Sequence, residues 1–509
     1  MPSRILGLPL IVLLMMIGAA SMFLPAIYAG AVRDWDSARA FLFSGIIFMT
    51  LSAMIGVAVS NYAVRRQARS HLLALLAAYA VLPAMLAVPL YEAVGDTRYF
   101  NAYFEMVSSL TTTGASVYPD PGRLTGAVHL WRALVGWMGG FLVWVTAIAI
   151  MAPLSLGGFE VLGDRGDTAD SGLTQIQQVA DPQMRLRRYA YMLFPIYFIL
   201  TLVAFVLLLV AGDTPLVAVS HAMSTLATSG ISPVGGTTGA QSGIGGEMVI
   251  LLFLGFALSR RTFERDGNVR RRKRIRRDPE LRMAAGLVVL VPLFLFLRHW
   301  WGAIEIENVG NFGVLAAQGF AALWGGVFTV LSFLTTTGFE STHWDTAQAW
   351  SGLETPGLVL MGLALIGGGV ATTAGGVKLL RVYALYKHGI RELERLVHPS
   401  SVGGSGVFAR HLRTRGAYVA WIFFMLFAMS IAVVMLALSL TGLNFDQTTV
   451  LTIAALSNTG PLAGIAESVP ISYATLSDAA KWILTASMVL GRLETLVIIA
   501  LLNPEFWRN

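Results

Sequence analysis

The sequence predicts an all-α polytopic membrane protein: four span–pore helix–span repeats around a central ion pore, an N-terminal helix pair, and about ten transmembrane helices. Three observations carry this. The 509-residue chain is 55% hydrophobic and only 13% charged, about half the charge usual in soluble domains. Its apolar residues gather into runs of membrane-spanning length. Four short polar loops, each centred on one glycine, recur roughly every 115 residues: TTTGAS (Thr111–Ser116), ATSGIS (Ala227–Ser232), TTTGFE (Thr335–Glu340) and SNTGPL (Ser457–Leu462). Near-equal spacing of one motif marks copies of one unit.

The apolar runs are Ile5–Tyr28, Ala40–Val64, Leu72–Val94, Leu130–Pro153, Tyr189–Val210, Met248–Leu258, Met283–Leu297, Leu358–Ile366, Tyr418–Leu440 and Trp482–Leu502. About 20 apolar residues cross a bilayer as helix, so the two short runs are spans interrupted or flanked by glycine. Ile5–Tyr28 is long for a signal peptide, has only Arg4 before it and precedes many further spans, so it reads as an uncleaved first span. The chain has no cysteine, which excludes disulfides and thiolate metal sites.

Residues 1–64 form the helix pair. The repeats then occupy 65–156, 157–262, 263–395 and 396–509. Each has a span, a short segment (Tyr99–Leu110, Pro215–Leu226, Leu323–Leu334, Phe445–Leu456), a glycine loop and a second span. Segments this short are read as re-entrant or interfacial. Non-helical backbone survives at membrane depth only inside protein or a wet cavity, so the four loops are expected to meet at a common axis. The short helices would aim their negative C-terminal ends there, favouring a cation.

The net charge of +7 is concentrated in four sets: Arg65, Arg66 and Arg69; Arg185, Arg187 and Arg188; the run between Arg260 and Arg282; and Lys378, Arg381, Lys387, Arg391, Arg395, Arg410, Arg413 and Arg415. Each set follows an even-numbered span, so the positive-inside rule places all four, and both termini, in the cytoplasm. The same rule explains the basic 260–282 run without nucleic acid, and no nucleic-acid partner is expected. Anionic lipid is the simpler partner for such segments. Trp35, Trp131, Trp300, Trp301 and Trp482 read as interface anchors.

Glycine tolerates φ > 0 and lets backbones approach without a Cβ, which a loop turning carbonyls toward an axis requires. The candidate ion-binding residues are Thr112, Thr113 and Gly114; Thr228, Ser229 and Gly230; Thr336, Thr337 and Gly338; and Asn458, Thr459 and Gly460. No carboxylate lies in any loop core, which suits a weakly hydrated monovalent ion better than Mg²⁺ or Ca²⁺. Glu105 and Glu340 beside the first and third loops either attract cations at the mouth or serve only in helix capping or simple solvation. His221 reads as a satisfied structural histidine rather than a proton relay.

These residues resemble the membrane subunit of the Trk/Ktr/HKT superfamily of potassium transporters, in its bacterial Trk-type form with an extra N-terminal helix pair. The resemblance covers essentially the whole chain. It rests on SLTTTGAS (Ser109–Ser116), HAMSTLATSGIS (His221–Ser232), LTTTGFE (Leu334–Glu340), LSNTGP (Leu456–Pro461), IGGGVATTAGGVKLLRV (Ile366–Val382), RELERLVHP (Arg391–Pro399), GRLE (Gly491–Glu494) and NPEFWR (Asn503–Arg508). One local departure is Ser229, where many relatives carry a second glycine. The resemblance implies K⁺ as the transported ion, and an intact Gly114 argues for potassium over sodium.

It further implies that Gly367, Gly368, Gly369, Thr372, Thr373, Gly375 and Gly376 belong to an intramembrane gate loop below the filter, with Arg492 an electrostatic barrier beside it. Read without the family, the glycine run is a helix kink or close packing, and Lys378 comes too late for a P-loop. Arg492 alone could instead snorkel or pair with a carboxylate. A homodimer and a cytosolic TrkA-like nucleotide-binding ring are implied partners. The expected activity is potassium uptake at the cytoplasmic membrane, either channel-like or by symport with H⁺ or Na⁺. An ion-coupled carrier for an organic solute is the alternative, since broken helices and internal repeats occur there too. No organic cofactor is expected. No catalytic constellation is present in the sequence, and the chain reads as a transporter rather than an enzyme.

Overall fold

The computed structural model describes residues 9–59, 67–152, 182–259, 278–302, 312–353, 355–398, 417–467 and 469–494. In chain order the helices are α1 (Leu10–Ser21), α2 (Phe23–Ala31), α3 (Trp35–Val59), α4 (Gln67–Val94), α5 (Tyr99–Leu110) and α6 (Gly126–Thr146). They continue with α7 (Pro182–Val210), α8 (Pro215–Ala227), α9 (Gly243–Leu254), α10 (Pro279–Gly302), α11 (Phe312–Leu334) and α12 (Trp344–Ser351). The last are α13 (Gly357–Ile366), α14 (Leu379–Val397), α15 (Ala417–Ser439), α16 (Phe445–Leu456), α17 (Leu462–Ile465) and α18 (Asp478–Leu493).

Eight helical stretches among the described residues are long and apolar enough to cross a membrane. Seven of them are expected spans, with α1 and α2 forming one stretch. The eighth is α11, which begins eleven residues before the expected pore segment and reaches spanning length on its own. The two short runs become the half-length helices α9 and α13, and α18 ends at Leu493, where Glu494 takes φ 62° and ψ 141°. The basic residues Arg65, Arg66, 260–277 and 410–415, and the NPEFWR stretch, lie outside the described residues, as do the side chains of Arg69, Trp300 and Trp301.

The helices divide by what surrounds them. In α6 and its continuation, 72% of the apolar window is buried, whereas α3, α10 and α15 bury only 22%. A helix apolar all round and exposed along its length is a lipid-facing span, and α7 presents Phe198, Ile199, Leu202, Val203, Val206 and Val210 that way. Proline lies inside α4 (Pro83, Pro89), α7 (Pro195) and α10 (Pro292), as membrane helices tolerate when neighbours re-satisfy the backbone. Trp35 and Trp482 are exposed, but Trp131 is fully buried, and its Nε1–H donates to the Leu86 carbonyl at 3.1 Å. It packs α6 onto α4 rather than anchoring at an interface.

Where α5 and α16 end, glycine permits the contact: a Cβ on Gly139 would lie 2.0 Å from the Leu110 oxygen, and one on Gly491 2.3 Å from the Leu456 oxygen. Each short helix thus ends hard against the second span of its own repeat, which holds the loop that follows inside the bundle.

Candidate ion filter and gate

The four polar loops begin with one and the same helix ending. At the ends of α5, α8, α11 and α16, the amides of Thr113, Ser229, Thr337 and Thr459 donate to the carbonyls of Ser108, Ser224, Ser332 and Ala454 at 2.8–3.0 Å. One residue earlier, Thr112, Thr228, Thr336 and Asn458 donate to Ser109, Thr225, Phe333 and Ala455 at 2.9–3.3 Å. This paired pattern is a Schellman ending, whose left-handed position normally holds glycine or asparagine. Here Thr112, Thr228, Thr336 and Asn458 hold it, at φ 53°, 51°, 58° and 55°. For a β-branched residue this costs about 1–3 kcal/mol and persists only where its surroundings enforce it.

Hydroxyls brace three of the endings in one way. Thr111 Oγ1 donates to Val107 O at 2.8 Å and meets Thr113 Oγ1 at 2.8 Å. Thr335 repeats this with Leu331 O (2.9 Å) and Thr337 (3.1 Å), and Ser457 with Ile453 O (2.7 Å) and Thr459 (3.2 Å). The second loop has Ala227 there, and Ser229 Oγ instead meets Ser224 Oγ at 3.0 Å.

The glycines then close the loops into a ring. A Cβ on Gly114 would lie 2.0 Å from Ser229 O, one on Gly230 2.2 Å from Thr337 O, one on Gly338 2.9 Å from Pro461 Cγ, and one on Gly460 2.2 Å from Ala115 N. Each loop thus abuts the next, and the fourth abuts the first. Gly114, Gly230 and Gly338 have φ of 74°, 64° and 82°; Gly460 is absent from the left-handed region and is required for space alone. Loops one and four are also bonded: Gly460 N–H donates to Thr113 O at 2.6 Å, and Asn458 Nδ2 to Thr113 Oγ1 at 3.0 Å and Met488 O at 2.9 Å.

Residues 367–376 separate α13 from α14, and all of them are buried. The chain folds back on the end of α13, with the Val377, Lys378 and Leu379 amides donating to Leu365, Ile366 and Gly368 at 2.8–2.9 Å. The segment touches three of the loops or their helices. Thr373 Oγ1 donates to Leu226 O at 3.1 Å, Gly375 N–H donates to Thr336 Oγ1 at 2.7 Å, and a Cβ on Gly375 would lie 2.0 Å from Ser457 O. On its other side Gly369 N–H donates to Ala257 O at 3.0 Å and Val370 N–H to Glu280 Oε1 at 2.9 Å. Thr372 Oγ1 closes the turn on Gly369 O at 2.7 Å.

Arg492, in the last turn of α18, joins the two groups. Its Nη2 donates to Thr112 Oγ1 in the first loop and to Thr373 O in the 367–376 segment, the latter at 2.7 Å. It is 5% exposed, and its Nε has no hydrogen-bond partner among the described residues. The carboxylate nearby is engaged elsewhere: Glu494 Oε2 accepts from Arg381 Nη2 at 2.7 Å, with the Arg381 guanidinium 3.6 Å from the Phe423 ring centre. Lys378 Nζ donates to Ala374 O. Lys378 and Arg381 are therefore buried beside this segment rather than on a cytoplasmic surface, a correction to the charge-based reading.

The outer side holds residues whose roles the sequence left open or missed. Glu105 is buried, paired with Arg132 Nη2 at 2.6 Å and accepting from Val117 N–H at 3.1 Å. It is thus neither a mouth carboxylate nor a solvated cap. Deleting one partner of a buried pair strands the other charge, at about 3–5 kcal/mol, whereas replacing both with apolar groups is often neutral. Glu105→Ala should therefore sharply lower the thermal unfolding temperature in detergent, and Glu105→Leu with Arg132→Met should recover most of the loss; an unchanged single mutant would refute the pairing. His221 is fully buried, with Nε2 2.9 Å from Ser232 Oγ, but its Nδ1 has no hydrogen-bond partner among the described residues, so the satisfied structural histidine expected from the sequence is satisfied at one nitrogen only.

Glu247 was missed, although a carboxylate opening an apolar helix is a legible signal. It accepts from Trp324 Nε1 (2.6 Å), Ser341 Oγ (2.8 Å), Thr342 N (2.6 Å) and Thr342 Oγ1 (2.8 Å), fastening the second repeat to the outgoing chain of the third. Glu340, in that same outgoing chain, remains half-buried. Burial, and then the neighbouring Asp345 charge, push its carboxyl up to about 7.

The family model of TrkH, cation transport protein, matches residues 281–507. The Trk system potassium uptake protein TrkH of Vibrio parahaemolyticus is 30% identical over 514 residues, covering 99% of each chain. The TrkH protein of Halomonas elongata is 32% identical over 416 residues, covering 80% of each. The crystal structure of the potassium transporter TrkH from Vibrio parahaemolyticus superposes with a TM-score of 0.80 at 27% identity, over the whole of both chains. With relatives of 30% identity or more over most of their length and a solved structure superposing on the whole chain, the chain belongs to the TrkH family of membrane transport proteins.

Proposed function

We propose that this chain carries potassium into the cell across the cytoplasmic membrane through a filter built from its four glycine loops. The observation that carries the reading is the closed ring of four equivalently capped loops, with the 367–376 segment and Arg492 bonded directly to it. Its full-length relatives are Trk system potassium uptake proteins. Backbone carbonyls and hydroxyls of Thr112–Gly114, Thr228–Gly230, Thr336–Gly338 and Asn458–Gly460 replace the hydration shell of K⁺. The inward-negative potential drives entry, at about 2.3 kcal/mol per charge for each 100 mV. Gly367–Gly376 is the gate, and Arg492 its electrostatic part. The protein works as a homodimer with both termini in the cytoplasm, where a TrkA-like nucleotide-binding ring controls the gate and the basic segments meet anionic lipid.

Rubidium-86 uptake into proteoliposomes holding the purified chain tests this. Uptake driven by an inward-negative potential, competed by K⁺ and far less by Na⁺, is expected. Uptake equally competed by both ions, or none at all in either gating state, would refute it.

The half-buried Glu340 adds a dependence on external pH. Its proton is held more tightly in the fold than in the unfolded chain, so ionisation costs stability as pH rises from about 4.5 toward about 7. Above about 7 the carboxylate is charged and concentrates cations at the mouth. The apparent affinity for K⁺ should therefore fall as external pH drops through about 7, and Glu340→Gln should flatten that step. A step of the same size in the variant would place the titrating group elsewhere.

A further inference from the structure

The fourth loop differs from the other three in how its outgoing chain is held. In the first three, the side chain nine residues before the glycine grips the chain two or three residues after it. Glu105 accepts from Val117 N–H at 3.1 Å, His221 Nε2 meets Ser232 Oγ at 2.9 Å, and Thr329 Oγ1 accepts from Ser341 N–H at 3.2 Å. The matching residue of the fourth repeat is Leu451, which has no polar atom to offer. Its chain also turns at once into Pro461 and α17, and Gly460 lacks the left-handed φ of its counterparts.

A residue from further along the chain takes over. Tyr473, in the turn before α18, donates its hydroxyl at 2.9 Å to the carbonyl oxygen of Gly460, which also accepts from Ala463 N–H in the first turn of α17 at 3.2 Å. Its ring is buried, with its centre 5.9 Å from that of Phe104 in the first pore helix. The same Gly460 peptide neighbourhood donates to Thr113 O, and Pro461 lies where a Cβ on Gly230 or Gly338 would come within 2.9 Å of its Cγ. Moving Gly460 thus moves a contact of every other loop.

We propose that Tyr473 is a positioning residue for ion selection: its hydroxyl fixes the direction of the Gly460 carbonyl and, through Pro461 and Thr113, the width of the ring. This rests on the filter reading above.

Tyr473→Phe removes the hydroxyl and leaves the ring against Phe104, so folding is retained. In rubidium-86 uptake with Na⁺ and K⁺ as competitors, K⁺ over Na⁺ discrimination should fall about fivefold, the scale of one lost neutral hydrogen bond. Tyr118→Phe is the control: that hydroxyl donates to Thr97 Oγ1 at 3.0 Å, away from the loops, and its removal should leave discrimination unchanged. Gly114→Ser separates the two levels of the claim. If it lowers discrimination while Tyr473→Phe behaves as wild type, the role of Tyr473 is overturned and the filter stands. If none of the variants moves the ratio, the filter reading falls with it.

Discussion

Gly114→Ser should lower K⁺ over Na⁺ discrimination about tenfold or more while leaving the protein folded. Two costs act at once. Position 114 sits at φ 74°, where a non-glycine residue is strained by about 1–2 kcal/mol, and its Cβ would meet the Ser229 carbonyl oxygen at 2.0 Å. That contact is backbone, so relief requires the second loop to move, and every 1.4 kcal/mol of lost differential binding is a factor of about ten. Gly230→Ser should behave similarly, since it meets Thr337 O at 2.2 Å. Gly338→Ser should be milder, because it meets the Pro461 ring at 2.9 Å. Rubidium-86 uptake under Na⁺ competition measures the series, and a ranking with Gly338→Ser most severe would contradict the ring as described.

Arg492→Ala should raise potassium flux roughly thirtyfold in the closed state. A cation about 8 Å from a guanidinium, at an effective dielectric near 20, is disfavoured by roughly 2 kcal/mol. The Arg492 guanidinium donates to Thr112 Oγ1, a residue of the first loop, so on the proposed route an ion leaving that loop would pass a fixed positive charge. The same side chain holds Thr373 O at 2.7 Å, so alanine also frees the segment beneath the ring. Arg492→Lys separates the contributions: it keeps the charge and loses the two-ended bridge. Flux raised by alanine and restored by lysine identifies the charge; flux raised by both identifies the bridge. Wild-type flux and gating in both would remove Arg492 from the mechanism.

Membrane class, the four glycine loops and the short helices before three of them were legible in the sequence, because each depends on local composition or on repeat spacing; the third helix instead runs on as the 23-residue α11. The helix break at 367–376 was legible for the same reason, since ten residues rich in glycine and threonine do not continue a helix. Charges were harder. Lys378 and Arg381 follow the glycine run and count as cytoplasmic by rule, yet both are buried, with Arg381 paired to Glu494 from 113 residues away. Glu105 had no visible partner because Arg132 lies on the next helix, in a register that sequence does not show. Trp131 carries no mark that distinguishes a core tryptophan from one at an interface.

By itself the sequence determined that this protein spans a membrane, that one glycine motif recurs four times, and where its neutral, carboxylate-free loops lie. Those follow from hydropathy, glycine's conformational freedom and spacing, all properties of adjacent residues. Only the tertiary structure decided that the loops form a ring closed from the fourth to the first, that Thr112, Thr228 and Thr336 are held in a left-handed conformation foreign to threonine, and that Arg492 bridges the ring and the 367–376 segment. Only it revealed that Tyr473 secures the loop whose own helix offers leucine. These depend on contacts between residues tens to hundreds of positions apart, where burial decides which polar groups must find one another.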